Sequence, residues 1–319
     1  MVKLVKLVFA LIVFYLLFRF AGVSDLIAVF VRISWSYVSL LIILPFIMIW
    51  ASSIKWQVFI RATGHDARIL QLMKFYTVGY FFNTFLPSFI GGDVVRSYHL
   101  GQELNNYRLA FAATFLERFT GLLAMCLISL SFVLAGSEIT KGVEIVVYLM
   151  ATVTVLVALP CFSEHCAKIS FFVTRRGLSL FGPAKYFGQL TQLTDKIEEA
   201  MSFARHNGNL LIKAMIWSLV FHSLTVVNTY VAGLALGISG VSITGLFVVV
   251  PLVLLVGMAP VTPGGLGIQE GAFMFFLNRL GISEAEALGV GLVIRAKTML
   301  IGLVGGIFWL AVKSKRTNK

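Results

Sequence analysis

The residues best suited to chemistry lie in one short segment that interrupts a strongly apolar part of the chain. The segment contains an amide, a proline, a glycine pair, an acid and a base in succession: Asn83, Pro87, Gly91, Gly92, Asp93 and Arg96. Backbone inside a bilayer has no water to satisfy its polar groups, so a broken helix there must be buried in protein or line a cavity. Because an ionisable side chain at that depth is costly and usually marks a pathway for a substrate or ion, the segment predicts a polar site within a membrane.

A second interruption of the same kind occurs in the other half of the chain. It contains Pro263, Gly264, Gly265 and Gly267 and is followed by Glu270. Two interrupted apolar segments, one in each half, are typical of transporters built from inverted repeats. The freed amides at the start of a half-helix would also favour an anion.

The first acid and base allow two interpretations. Asp93 and Arg96 are three residues apart, so on one helical turn they can form an ion pair that only stabilises the fold. The adjoining proline and glycines, which such a pair does not need, favour a functional site. In that site Arg96 faces an anionic headgroup, and Asp93 positions Arg96 or carries a proton.

Four more ionisable side chains are candidates for the same site. Glu117 and Arg118 are consecutive and point about 100° apart on a helix, so each needs a partner on another element. Arg118 could bind phosphate through paired donors or extend to the membrane interface. Glu270 could cap a restarting helix or hold a cation or proton. Arg295, inside the last apolar segment, is the natural partner of Glu270 or of a substrate phosphate.

Composition places the chain among integral membrane proteins. Of its 319 residues, 59% are hydrophobic and 13% are charged, and the mean hydropathy is +0.93. Soluble domains carry roughly 25% charged residues. The net charge of +12 is explained by the tendency of basic loops to stay cytoplasmic, and no nucleic-acid partner is expected.

The sequence argues against an enzyme. It contains no hydrolase triad order, nucleotide-binding loop or dinucleotide fingerprint, so no catalytic residue and no cofactor are predicted. Cys161, His165 and Cys166 lie close together. Two cysteines and one histidine without a fourth partner match a metal site poorly, so no metal is expected and inert thiols are favoured.

Apolar segments of helical length predict an all-α, polytopic transmembrane bundle. The predicted spans and broken segments are Val2–Gly22, Tyr37–Trp56, Leu72–Gly92, Leu109–Ala135, Val143–Phe162, Leu210–Leu236, Ile243–Met258, Ala259–Gly271, Ala272–Leu280 and Ala287–Val312. Both termini and the basic connections 55–74 and 168–213 are predicted to be cytoplasmic. The connections 137–144 and 237–242 are predicted to be external, as is the first loop, which carries Arg32.

With the connections on these predicted sides of the membrane, residues 75–108 must start and end on the same side. The same holds for residues 243–282. Re-entrant hairpins entering from opposite faces would do so, as inverted halves predict. Two full crossings in place of either hairpin would satisfy the same count.

The chain is therefore predicted to be a single membrane domain, 1–319, with two pseudo-inverted halves. The first half covers about 1–162 with its broken element at 72–96, and the second about 210–312 with its broken element at 259–271. Between them, 163–209 carries apolar residues at helical spacing. That pattern predicts an amphipathic helix, either on the cytoplasmic membrane surface or packed against the bundle.

The motifs above, in this order and spacing, resemble the lysylphosphatidylglycerol synthase transmembrane-region family, also called the flippase-like domain family. The residues that carry the resemblance are Asn83, Pro87, Gly91, Gly92, Asp93, Arg96, Glu117, Arg118, Pro263, Gly264, Gly265, Gly267, Glu270 and Arg295. Ser88 departs from the family pattern, which commonly has glycine there. The resemblance covers residues from about 5 to 312.

The resemblance implies lipid translocation. Larger relatives fuse such a region to a soluble aminoacyltransferase domain, and others are associated with polyprenyl-phosphate-linked sugars or hopanoid lipids. This chain has no soluble domain after its last span, so synthase activity is expected to be absent.

Together, residues and resemblance predict a bacterial-type inner-membrane flippase for an anionic phospholipid or polyprenyl-phosphate-linked lipid. Arg96, Arg118 and Arg295 would hold the phosphate, while Asp93 and Glu270 would compensate charge or couple proton movement. Asn83 would satisfy freed backbone groups or line the cavity, Glu117 would line the site, and the glycine-rich breaks would act as gates. Two alternatives stay open: a non-enzymatic partner of a lipid-modifying enzyme or glycosyltransferase, and a membrane-embedded transferase acting on a lipid phosphate. Homo-oligomerisation is also left open.

Overall fold

The computed structural model describes residues 2–85, 91–134, 163–181, 187–238, 240–258 and 261–317, with isolated positions between 145 and 160. Within these residues the protein is entirely helical, as predicted. The helices are α1 (Val2–Ala21), α2 (Val23–Val31), α3 (Trp35–Arg61), α4 (Ile69–Phe85), α5 (Gly91–Glu103), α6 (Tyr107–Leu134), α7 (Glu164–Phe181), α8 (Phe187–His206), α9 (Gly208–Ala235), α10 (Ile243–Gly257), α11 (Ile268–Asn278) and α12 (Glu284–Thr317), with a 3₁₀ turn at Pro263–Gly265. Pro87 and most of the predicted span Val143–Phe162 lie outside the described residues.

Within the described part of the chain, four helices are long and apolar enough to cross a membrane: α3, α6, α9 and Glu284–Leu310 of α12. A fifth span is possible if Leu11–Ala21 and α2, which are bent by 78°, count as one. The bend occurs at Gly22, whose φ of 74° is costly for any residue with a side chain. Residues 23–31, which the sequence places in the first external loop, form helix α2 after this bend.

Helices α4 and α12 pack closely because α12 presents small residues to α4. A side chain added at Gly305 would overlap the backbone carbonyl of Thr77, and one at Gly302 would meet Thr84 at 3.2 Å. Small residues let membrane helices approach closely. On the outer side of α12, Leu303 and Ile307 are exposed, as expected for a face in contact with lipid.

Helices α4 and α5 form an antiparallel hairpin whose tip lies at the first helix break. Near the tip Gly79 contacts Gly92, and further away the rings of Phe75 and His99 stack at 5.6 Å. With 17 and 13 residues, the two helices extend about 26 and 20 Å, less than the ~30 Å of a hydrocarbon core. Whether this hairpin is re-entrant or crosses the membrane twice stays a prediction.

The amphipathic segment packs against the helix bundle. Ala200 and Met201 of α8 are buried, and Met201 joins Phe171 of α7 and Phe119 of α6 in one apolar cluster. Of the two states left open by the sequence, α8 adopts the packed one.

Candidate functional site

Five charged side chains on three helices form a continuous ionic chain behind the first helix break. They are, in order of contact, Lys55, Glu117, Arg96, Asp93 and Arg118, and positive and negative charges alternate along the chain. Lys55 comes from α3, Asp93 and Arg96 from α5, and Glu117 and Arg118 from α6. Each of the two acids lies between two bases.

The inner part of this chain is sealed from solvent. Glu117 accepts from Lys55 Nζ at 2.9 Å and from Arg96 Nη2 at 2.5 Å, and all three residues are at most 3% exposed. The Arg96 guanidinium also lies over two rings, with its Cζ 4.8 Å from the centroid of Trp56 and 4.2 Å from that of Tyr76. Ion pairing and cation–π contacts together fix Arg96 in place.

The outer end of the chain is accessible. Arg118 donates from Nε to Asp93 Oδ2 at 2.9 Å and from Nη2 to Asp93 Oδ1 at 2.8 Å, a bidentate pair. Its side chain is nevertheless 48% exposed, while that of Asp93 is 17% exposed. Arg118 is the twelfth residue of α6, about 17 Å along a helix that would span the membrane.

The charges of the five side chains do not cancel. Three cations face two anions, and Nη1 of Arg96 is buried without an acceptor among the described residues. A surplus positive charge inside a bilayer is costly unless an anion or water compensates it. The cluster is therefore electrostatically suited to an anionic ligand.

The first break is held by a close backbone approach. Asn83 Oδ1 accepts from the backbone N–H of Gly92 at 2.7 Å, which satisfies one of the freed amides at the start of α5. A side chain at Gly92 would overlap both Asn83 and the carbonyl of Gly79. Asn83 thus stabilises the break directly, one of the roles open to an amide at this position.

The second break has its own charged pair. Glu270 accepts from Arg295 Nε at 2.5 Å and from the backbone N–H of Gly267 at 2.8 Å, so it both pairs and caps α11. Arg295 also donates to the backbone carbonyls of Gly264 and Gly265, at 2.8 and 3.1 Å. Positive φ at both glycines, 55° and 66°, turns these carbonyls without the strain that a side chain would add.

The two breaks share one arrangement and touch each other. The acid is the third residue of the short helix, Asp93 in α5 and Glu270 in α11. In each half it pairs with an arginine 25 residues later on the next long helix. The 3₁₀ turn packs against the end of α4, since a side chain added at Gly264 would lie 3.1 Å from the carbonyl oxygen of Asn83.

The structure thus brings most of the predicted site residues together around two touching breaks. The ion pairs Asp93–Arg96 and Glu270–Arg295 are present, and Glu117 and Arg118 each pair with other helices. Gly91 begins α5, Pro263 begins the 3₁₀ turn and Gly267 precedes α11. Whether these residues bind a substrate stays a prediction.

Three residues of the cluster, Lys55, Trp56 and Tyr76, are not among the site residues predicted from the sequence. Lys55 begins the predicted cytoplasmic connection 55–74, but the structure buries it inside α3, where it pairs with Glu117. Because Lys55 also falls within the predicted span Tyr37–Trp56, an ionisable residue inside a span is the signal that identifies it. Trp56 and Tyr76 gave no such signal. Lys297, two residues after Arg295, donates to Asn228 at 2.5 Å and is a second intramembrane lysine that was overlooked.

Comparison with known proteins agrees with this architecture. The family model described as "Lysylphosphatidylglycerol synthase TM region" matches residues 3–306. A "UPF0104 membrane protein" of Methanothermobacter thermautotrophicus is 25% identical over 93% of this chain and 90% of its own length. Similar proteins of Methanocaldococcus jannaschii and Pyrococcus horikoshii are 23% and 21% identical, covering 100% and 99% of this chain and 98% of each relative. No solved structure matches.

Proposed function

The chain belongs to the lysylphosphatidylglycerol synthase transmembrane-region family, and from that premise we propose that it moves an anionic lipid between the leaflets of a membrane. The lipid carries a phosphate, as a phospholipid or a polyprenyl-phosphate-linked lipid does. The protein performs no covalent chemistry on it.

One observation carries this proposal: the half-exposed guanidinium of Arg118 in the middle of a spanning helix. Hydrocarbon is a poor environment for a charged group at that depth. The exposed side of Arg118 therefore faces a polar groove or an anionic group that enters the membrane region. A lipid phosphate brings the oxygens that a guanidinium fork binds best.

Transport can proceed by an exchange of hydrogen-bond acceptors at Arg118. In the absence of lipid, the carboxylate of Asp93 accepts hydrogen bonds from the guanidinium of Arg118. An arriving phosphate takes over donors of Arg118, while Arg96 remains close enough to keep Asp93 paired, since Arg96 Nε already donates to it at 2.8 Å. Arg96 and Glu117 then act as positioning residues, and Arg118 is the ligand.

The second break provides the matching position for the other leaflet. Arg295 holds the carbonyls of the 3₁₀ turn, which packs against the end of α4, so a movement at one break is passed directly to the other. In this proposal the two halves are pseudo-inverted repeats, with both termini cytoplasmic in a plasma membrane. The acyl chains remain in the bilayer while the headgroup passes along the breaks.

A leaflet assay in vesicles tests the proposal. Purified protein is reconstituted with a fluorescent phosphatidylglycerol, and dithionite quenching reports how much of the label reaches the outer leaflet. Arg118→Ala should slow transport roughly 10- to 100-fold, the effect of losing a hydrogen bond to a charged group. Arg118→Lys, which keeps the charge without the fork, should retain part of the rate.

Two controls make the result specific. Arg108→Ala removes another arginine from α6, near the helix start and outside the cluster, and should transport normally. Glucosylceramide, which carries no phosphate, should not be moved faster than in protein-free vesicles. Wild-type rates in Arg118→Ala, or a lipid recovered chemically altered, would refute the proposal.

A further inference from the structure

A separate cavity lies between the beginning of α4 and the end of α5, away from the ionic chain. Its volume is about 420 Å³, and its lining includes Arg68, Lys74, Phe75, His99 and Glu103. The rings of Phe75 and His99 stack at 5.6 Å and form an aromatic wall. These residues have no part in the site described above.

The cavity carries cations without partners. Among the described residues, neither Arg68 nor Lys74 contacts an acidic side chain, although both are exposed. Nearby Arg61 behaves differently, since it binds Asp66 at 2.9 Å and holds the pKa of that carboxyl below its usual value. Two free cations and one carboxylate, Glu103, leave the lining with a surplus of one positive charge, which matches a phosphodiester.

The cavity is also lined by an exposed apolar side chain. Leu70, another lining residue, is 73% exposed, so the lining that contains Arg68 also contains an exposed apolar side chain. Along the same two helices, Tyr76 follows Phe75, and Arg96 precedes His99 by three residues, about 4.5 Å of helical rise. The two helices that line the cavity therefore also carry residues of the buried cluster.

We propose that this cavity is a docking site for the phosphodiester headgroup of a membrane lipid, occupied before the headgroup reaches Arg118. Arg68 and Lys74 bind the phosphate, and Glu103 accepts a hydrogen bond from a hydroxyl or amino group further out on the headgroup. The adjacent Leu70 favours a lipid over a free phosphate, because the acyl chains can stay in the bilayer. This inference rests on the proposed function, to which it adds the class of headgroup and the side of access.

Photolabelling tests the docking site directly. Full-length protein in phosphatidylcholine nanodiscs is exposed to a phosphatidylglycerol bearing a photoreactive group on its headgroup, and adducts are mapped by mass spectrometry. Adducts should fall on residues 68–75 and 99–103. Unlabelled phosphatidylglycerol should compete for the site, whereas inorganic phosphate at the same concentration should not.

Matched variants separate this site from general basic charge. Arg68→Ala with Lys74→Ala should lower adduct yield about tenfold, equivalent to roughly 1.4 kcal/mol, and Arg68→Lys with Lys74→Arg should restore it. Arg108→Ala with Lys213→Ala removes the same charge from exposed positions outside the cavity and should leave the yield unchanged. Adducts confined to other segments, or an unaltered yield in the alanine pair, would overturn the docking site, and competition by inorganic phosphate would replace the lipid with a free anion.

Transport measurements distinguish this inference from the proposed function. If docking occurs but translocation does not, the variant with Arg68→Ala and Lys74→Ala loses labelling, and the wild-type protein moves no lipid. If translocation occurs without this docking site, Arg118→Ala blocks transport while the alanine pair labels and transports as wild type does.

Discussion

Arg96 and Arg118 show how two identical side chains acquire different roles through their surroundings. Both pair with Asp93, yet Arg96 is 1% exposed and enclosed by Glu117 and two aromatic rings, whereas Arg118 is half-exposed. Exchange of ligands needs an accessible donor. At the scale of single residues, burial therefore separates the arginine that positions from the arginine that binds.

Glu117 should be the most sensitive residue for stability. Glu117→Gln leaves Lys55 and Arg96 buried without their shared carboxylate, and we expect the free energy of unfolding to fall by roughly 3–5 kcal/mol. Denaturant titration in detergent, followed by tryptophan fluorescence, measures the change. Glu164→Gln, which removes an exposed partner of Lys168, should have little effect, and equal stability of both variants would contradict the argument.

At the scale of elements, the breaks work because helices approach each other closely around them. Gly79 and Gly92 let α4 and α5 meet near the tip, and Gly302 and Gly305 let α12 pack along α4. Polar contacts at the breaks can form only at these short distances. These glycines thus allow close helix–helix packing and are not needed for a backbone turn.

Gly305 tests this packing. Gly305→Ala would place a methyl group on the Thr77 backbone, and such overpacking typically costs about 1–3 kcal/mol. We expect a lower thermal midpoint in detergent and slower lipid transport. Gly208→Ala is the matched control, because nothing lies within 4 Å of its added methyl group, and it should be neutral or mildly stabilising; a Gly305→Ala protein as stable as this control would exclude close α4–α12 packing.

For the whole molecule, the decisive property is that the two breaks meet although they are far apart in sequence. The end of α4 packs against the 3₁₀ turn of the second half. The acid and the arginine are 25 residues apart at both breaks, and that the two halves are inverted repeats stays a prediction. In the proposed mechanism, alternating access requires a rearrangement at the contact between the two breaks.

Cysteine accessibility tests the proposed topology. In a protein whose native cysteines are replaced by serine, His65→Cys and Asn105→Cys should react with a membrane-impermeant maleimide from the cytoplasmic side. Ser283→Cys should react from the external side, because it precedes the last span, whose end is cytoplasmic. Labelling of positions 65 and 105 from opposite sides would be incompatible with the hairpin.

The sequence alone determined the membrane class, the helical fold, the two breaks and the acids and arginines beside them. These features are local, because a bilayer requires each segment to satisfy its own backbone and makes every interruption or charge conspicuous. Only the tertiary structure decided which groups pair and which are accessible. Lys55 joins Glu117 from 62 residues away, and the exposure of Arg118 depends on how α5 covers α6. Such pairings arise from the packing of helices distant along the chain, and no local pattern encodes them.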